Sequence, residues 1–420
     1  MTRRQTLVSS PSMAALGASS AFVLGVLLPL ILAPASKSSP LLLAIATALA
    51  VAASLSDRKS APSKSSVAVS TYEAWKNDPA AWAVFLLIAL MTASIFWAHN
   101  SIASLNQFAQ FLIPLLCGLI LALLFPRIAP RNRTPYWAAA LFLTALIIAG
   151  DILAGLPLRK LTGGRATDYS YNRAIVTMML LLWPVLALII ARRQWGLLIL
   201  LAPLALAIGV GESGAAVLAL FIGMLILPIA WFFPVLTRKM GVILVLLMLA
   251  VSPFIGTLSS QLLGQGFHKV LEGAHSDDRV NIWLSFEKVA QKRWLLGNGF
   301  GSSFEMQKAP VAREIPAARV TLLGASHPHN AVLQLWVELG LVGAVLASIL
   351  VLCLFRAVGR AAPLLQPFLL TWIAVIFGVG FVSHGAWQAW WIAAIAASAV
   401  GFITLNRELE QDSSGTVPAL

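Results

Sequence analysis

What most constrains this 420-residue chain is a series of twelve apolar runs, each 16 to 25 residues long. They lie near 13–33, 40–55, 80–98, 104–125, 136–155, 174–191, 195–210, 214–233, 240–257, 331–355, 363–382 and 386–405. A helix needs about 20 mostly apolar residues to cross ~30 Å of hydrocarbon. Charged residues make up only 11% of the chain, against about 25% in soluble domains. Soluble multidomain, disordered, collagen-like and disulfide-scaffold architectures are excluded. The expected fold is all-α: a polytopic membrane protein of about twelve transmembrane helices, forming a single integral membrane domain over 1–420. The first run follows Arg3-Arg4 and ends at Ala33-Pro34-Ala35, which looks like a signal-peptidase site. At 21 residues it is longer than a signal h-region and reads as a retained anchor.

The net charge of +13 carries orientation. With a cytoplasmic N-terminus, 16 of the 29 Lys and Arg fall in segments on the inner side and only five in short outer loops. The other eight sit in the long stretch 258–328, which counts little because long loops translocate largely regardless of charge. Both termini are therefore expected in the cytoplasm, with 258–328 as the one large periplasmic loop, built of short helices between spans nine and ten. One short outer loop breaks the rule: 156–173 holds Arg159, Lys160, Arg165 and Arg173 against Asp168 alone. A tolerated surplus is one explanation. The other is an anionic ligand, since guanidinium forks match phosphate geometry.

Candidate chemistry gathers at the same rim. A helix is expected over Arg279–Arg293, followed by Gly297-Asn298-Gly299-Phe300-Gly301. That glycine pattern lacks the Lys-Ser/Thr of a phosphate-binding loop and follows no strand, so it does not read as a nucleotide site. His327-Pro328-His329-Asn330 then leads into the tenth span, where Asn330, Gln334 and Glu338 fall at four-residue spacing and share one helix face. Interhelical hydrogen bonding is the plain reading of that stripe. The two histidines sit at the water boundary and can exchange protons near neutral pH. An H-x-H pair can also bind metal, but no cysteine or spaced carboxylate stands near to complete a ligand set. Cys117 and Cys353 lie within apolar runs and suggest no disulfide. Asp151 and Glu212, at outer span ends, read as structural partners.

The run HPHNAVLQLWVELGLVG (327–343) resembles the signature of the O-antigen ligase / O-antigen polymerase superfamily of bacterial envelope glycosyltransferases. Arg279-Val280-Asn281-Ile282-Trp283 with the following glycine stretch resembles that family's Arg-x-x-x-Trp and Gly-x-Gly-x-Gly region. Asn172-Arg173 and Glu212-Ser213-Gly214, which open the sixth and eighth spans, look like its recurring positions.

The resemblance implies a glycan donor on undecaprenyl pyrophosphate and a lipid A–core acceptor, joined at the periplasmic face of the bacterial inner membrane. It implies His329 as catalytic base, Arg279 and Arg173 as holders of the pyrophosphate, and inversion at the anomeric carbon. No metal, nucleotide or other cofactor, and no nucleic-acid partner, is expected; membrane lipids are. His327, Asn330, Arg159, Lys160 and Arg165 are candidate substrate-binding residues, the last three on charge alone. Two alternatives stay open. A polymerase of the same superfamily shares donor and signature, and a twelve-span secondary transporter shares the outline.

Overall fold

A computed structural model of the chain describes residues 11–56, 78–163, 167–263 and 276–414. These residues form helices and connecting turns, without strands. Eleven of the described helices are long and apolar enough to cross a membrane. The spans are α1 (Pro11–Ile31), α2 (Ser39–Ser56), α3 (Pro79–Trp97), α4 (Ser101–Ile128), α5 (Thr134–Leu153), α6 (Asn172–Ala191), α8 (Gly214–Phe232), α9 (Pro234–Val251), α11 (Ala331–Arg360), α12 (Gln366–Val382) and α13 (Ala389–Ser413). The extramembrane helix α10 covers Ser276–Lys292, close to the stretch expected. The chain is a multi-pass all-α membrane protein.

The seventh apolar run differs from the rest. It forms a 3₁₀ stretch, Trp195–Leu201, that continues into α7, Ala202–Val210. Yet it returns the chain from one end of the bundle to the other, because Ser213 just beyond it hydrogen-bonds Asn172 at the start of α6 (Oγ to Oδ1, 2.6 Å). At about 2.0 Å rise per 3₁₀ residue and about 1.5 Å per α residue, the two pieces reach roughly 27 Å. The larger rise per 3₁₀ residue supplies length that sixteen α-helical residues would lack.

α6 is the central post. It packs against α5, α8, α12 and α13, and its apolar residues are buried on nearly every side. A helix apolar all round belongs inside a bundle.

Hydrogen bonds sort the loops to two ends. At one end Arg133 pairs with Glu408 (2.5 Å), Arg192 with Glu408 (2.7 Å) and Arg131 with Asp412 (2.8 Å). Asn406 accepts from Ala362 N there (2.8 Å), which brings in the foot of α11. At the other end Ser39 reaches Trp390 O (3.3 Å), Tyr171 reaches Asp151 (2.6 Å), and the turn before α11 meets Ser383. Asp151 also accepts from Leu158 N, so it braces the 154–171 connection structurally, as its position suggested.

α11 is broken at Gly340, whose φ of 61° and ψ of −156° are non-helical. The break leaves backbone groups without helical partners, and the segment 294–299 supplies them. Asn298 N and Gly299 N donate to Val337 O and Glu338 O (both 2.9 Å). Leu341 N and Val342 N donate to Trp294 O and Leu295 O (2.8 and 3.2 Å). Gly297 and Gly299 hold φ of 68° and 92°, a region open to glycine at little cost. At Gly299 a Cβ would fall 2.5 Å from Ser94 O. The glycine stretch therefore plugs a helix break, which explains its composition without any ligand. Beneath it, Val280, Trp283, Phe286 and Ala290 of α10 form one apolar face against Met306, Val311, Leu323 and Trp336, and Glu287 ties α10 to Thr257 (N to Oε2, 2.9 Å).

Candidate active site

The site is built around the turn 327–330. Asn330 caps α11, its Oδ1 accepting from Val332 N (3.0 Å) and Leu333 N (2.9 Å), the usual role of Asn at this position. Ahead of it His329 is held at φ 53°, a left-handed conformation that costs a non-glycine residue about 1–3 kcal/mol and recurs at functional sites. Two bonds hold it. Its backbone N donates to His327 Nδ1 (3.0 Å), and its Nδ1 lies 3.2 Å from Ser383 O. A carbonyl only accepts, so Nδ1 of His329 carries the proton and Nε2 presents its lone pair.

His384 and Gln388, from the connection between α12 and α13, complete the cluster. The His327 and His329 rings lie 4.3 Å apart, and His384 packs against Trp390 and Trp391 at 5.0 and 5.3 Å. Gln388 Nε2 meets His327 Nε2 at 2.9 Å, and Gln388 Oε1 accepts from Trp390 Nε1 at 2.9 Å. Burial, then the neighbouring histidines and Arg173, push His327 down to about 3. Burial, then His329, Arg173 and Arg279, push His384 down to about 3. For His329, burial lowers the pKa, the Ser383 carbonyl opposes this, and Arg279 lowers it further. All three imidazoles are neutral at pH 7.

Arg173 and Arg279, more than a hundred residues apart in sequence, thus act electrostatically on one histidine group. Both are partly buried. Among the described residues neither guanidinium has a hydrogen bond or a carboxylate. Desolvation is the sole cause of the lowered pKa of Arg279. The turn is also short of acceptors. His329 N, Trp390 Nε1, His327 and Gln388 bring four donors to three contacts, and only the imidazole and the amide can accept. Asn330 Nδ2 and His384 Nε2 are buried without partners among the described residues. An excess of donors and cations calls for an oxygen-rich anion.

The remaining sequence candidates divide. His327 and Asn330 lie in the turn itself. Arg159 is buried: it donates to Ser170 O (2.7 Å) and stacks on Tyr171 at 4.4 Å, bracing its own loop. Lys160 is exposed on that loop. Arg165 lies outside the described residues. Among the described residues no group of three or more His, Cys, Asp or Glu is placed so that it could hold a metal ion. Sequence reasoning did not select His384 or Gln388; polar residues in a short connection between two apolar spans were the available signal.

Glu338 marks a second polar cluster deeper in the bundle. Its carboxylate accepts from Gly301 N (2.7 Å), Ser303 N (3.3 Å), Trp387 Nε1 (2.8 Å) and Gln334 Nε2 (2.8 Å). Gln334 Oε1 in turn accepts from Ala386 N (2.8 Å). The stripe foreseen on α11 thus joins loops to the helix, where helix-to-helix bonds were expected.

The fold and this cluster define a class: a multi-pass helical membrane protein with a basic, histidine-rich site at one end of the bundle. Residues 197–348 match the O-antigen ligase family model, a stretch that runs from the 3₁₀ segment before α7 to α11 beyond its break. The chain is also similar to the "Putative polysaccharide ligase" of Rickettsia bellii (strain RML369-C), at 24% identity over 311 residues, which is 71% of this chain and 74% of the relative. Over 197–348 the chain is thus similar to the O-antigen ligase family, in line with the 327–343 resemblance. Arg279 and His329 lie within the matched stretch and Arg173 before it.

Proposed function

We propose that the protein transfers a glycan from undecaprenyl pyrophosphate to a lipid A–core acceptor, at the periplasmic face of the bacterial inner membrane. One observation carries this reading: Arg173 and Arg279, uncompensated among the described residues, act on one histidine cluster, in which Arg279 acts on His329, whose Nε2 lone pair has no partner there. In the reaction His329 Nε2 takes the proton from an acceptor sugar hydroxyl as that oxygen bonds to the anomeric carbon. The bond from that carbon to the pyrophosphate oxygen breaks, and the anomeric configuration inverts. Arg173 and Arg279 offset the charge that grows on the departing pyrophosphate. Asn330 Nδ2 and His384 add neutral hydrogen-bonding groups, and His327 holds the backbone of the base. The cations favour an anionic acceptor, which supports a ligase over a polymerase.

A general base contributes about 10²–10⁴-fold in rate. Replacing His329 with Ala is expected to lower transfer by that factor while the protein still inserts and purifies normally. Undiminished transfer removes the base assignment. Lipopolysaccharide gels from a deletion strain separate the two family reactions: loss of all long chains with build-up of lipid-linked polymer marks the ligase, and cores bearing a single repeat mark the polymerase.

A further inference from the structure

One cavity has no histidine in its lining. Its volume is about 610 Å³, and its wall is formed by α8, α9, α11 and α12 through side chains such as Ile229, Leu244, Met248, Phe355, Leu370 and Phe377. Leu236 and Met248 mark its extent on α9, thirteen residues that rise about 18 Å. That is roughly half of a ~30 Å hydrocarbon core, the depth of one leaflet.

The groove has a polar mouth at one end only. The far end of α9 belongs to the histidine side, where Trp336 donates to Leu249 O (2.7 Å) and Gln291 to Pro253 O (3.1 Å). The near end holds Arg238 and Lys239, between the lining residues Thr237 and Met240. α11 adds Arg356, next to the lining residue Phe355, and Arg360 one turn on. The guanidinium of Arg238 lies over Gly359, where no Cβ would fit, so the mouths of α9 and α11 are drawn together.

These four cations contrast with their neighbours at the same end. Arg131, Arg133 and Arg192 are neutralised by Glu408 and Asp412. Arg238, Lys239, Arg356 and Arg360 form no ion pair among the described residues. An apolar trough one leaflet deep beneath unpaired cations matches an amphiphile with an anionic head and hydrocarbon tails.

We infer that the groove between α8, α9, α11 and α12 binds an anionic phospholipid of the leaflet opposite the histidine cluster. A neutral isoprenoid tail would fill the trough but leave the cations without a partner. The site is separate from the proposed pyrophosphate pocket and does not depend on it.

The test is native mass spectrometry of the delipidated full-length protein, titrated with dioleoyl phosphatidylglycerol, dioleoyl phosphatidylcholine or undecaprenol. Phosphatidylglycerol is expected to bind at least ten-fold tighter than phosphatidylcholine. Arg238→Gln with Arg356→Gln should weaken it roughly 30-fold, at about five-fold per cation, and leave phosphatidylcholine unchanged. If that pair fails to fold, Lys239→Gln with Arg360→Gln, both exposed, gives the same readout. Ala374→Trp, which fills the trough, should abolish retention of both phospholipids. Equal binding of the two phospholipids, unchanged affinity in the charge variants, or displacement of phosphatidylglycerol by equimolar undecaprenol would overturn the inference.

Discussion

Glu338 and His329 sit nine residues apart on either side of the start of α11, and they show two opposite ways to bury polarity. Around Glu338 the accounts close: four donors meet one carboxylate, and the amide of Gln334 is used at both ends. Around His329 donors outnumber acceptors, and two guanidinium groups have no partner among the described residues. A closed cluster lowers the energy of the folded chain as it stands. An open one reaches its full complement only with something bound. The contrast separates the part of this end that holds shape from the part to which we assign the chemistry.

The open cluster should give the largest effects. Removing one preorganised donor of transition-state charge typically costs about 10²–10³ in rate. Arg173→Ala combined with Arg279→Ala is expected to lower glycan transfer beyond 10³-fold with thermal stability unchanged or raised, since an uncompensated buried charge is lost. Arg279→Lys keeps the charge but not the fork, and should recover only part of the activity. A double variant that transfers normally would show that the pocket's anion is not part of the reaction.

The closed cluster should respond in the other currency, stability. Glu338→Gln keeps the shape but turns an amide NH₂ toward groups that are themselves donors. One buried donor left unmatched costs about 1–3 kcal/mol. The variant should melt at lower temperature, while transfer per folded molecule stays within about ten-fold of the parent. A rate loss larger than that of Arg279→Lys, at unchanged melting temperature, would erase the distinction and place Glu338 in the machinery.

Much of this was legible in the chain because it is local. The spans announce themselves by hydrophobic length, and α10 begins at Ser276, three residues before the expected start at Arg279. The Asn330–Gln334–Glu338 stripe follows from helical spacing alone. What was not legible depends on distant partners. Trp387 and Gln388 gain their meaning from Glu338 and His327, 49 and 61 residues away, and no local pattern encodes such a meeting. Arg159 and Arg279 look alike as letters. The first turns inward onto Tyr171 and Ser170 and the second is left unpaired among the described residues, a difference set by the surrounding fold. The glycines at 297–301 punctuate the sequence plainly, but only the break at Gly340 reveals what they fill. The Trp195–Val210 return was expected as a span, a short one, and no local pattern announced its 3₁₀ stretch.

The smallest effect should be a shift in pH dependence. A base must be neutral to act, and its neutral fraction falls as pH drops through its pKa. Burial and Arg279 both lower the His329 value, against the raising influence of Ser383 O. The acid limb of transfer is therefore expected below the ordinary imidazole value of about 6.5, with a plateau above it. Arg279→Gln removes one of the two lowering influences, so the residual activity should begin to fall at a higher pH than in the parent. Replacing Lys160, exposed on its loop, should leave the limb where it is, as a control for nonspecific charge. A limb that stays fixed in Arg279→Gln, or moves to lower pH, would mean that the guanidinium and the imidazole do not share a field. The pairing of base and cation at the open cluster would then fail, even with Glu338 behaving as expected.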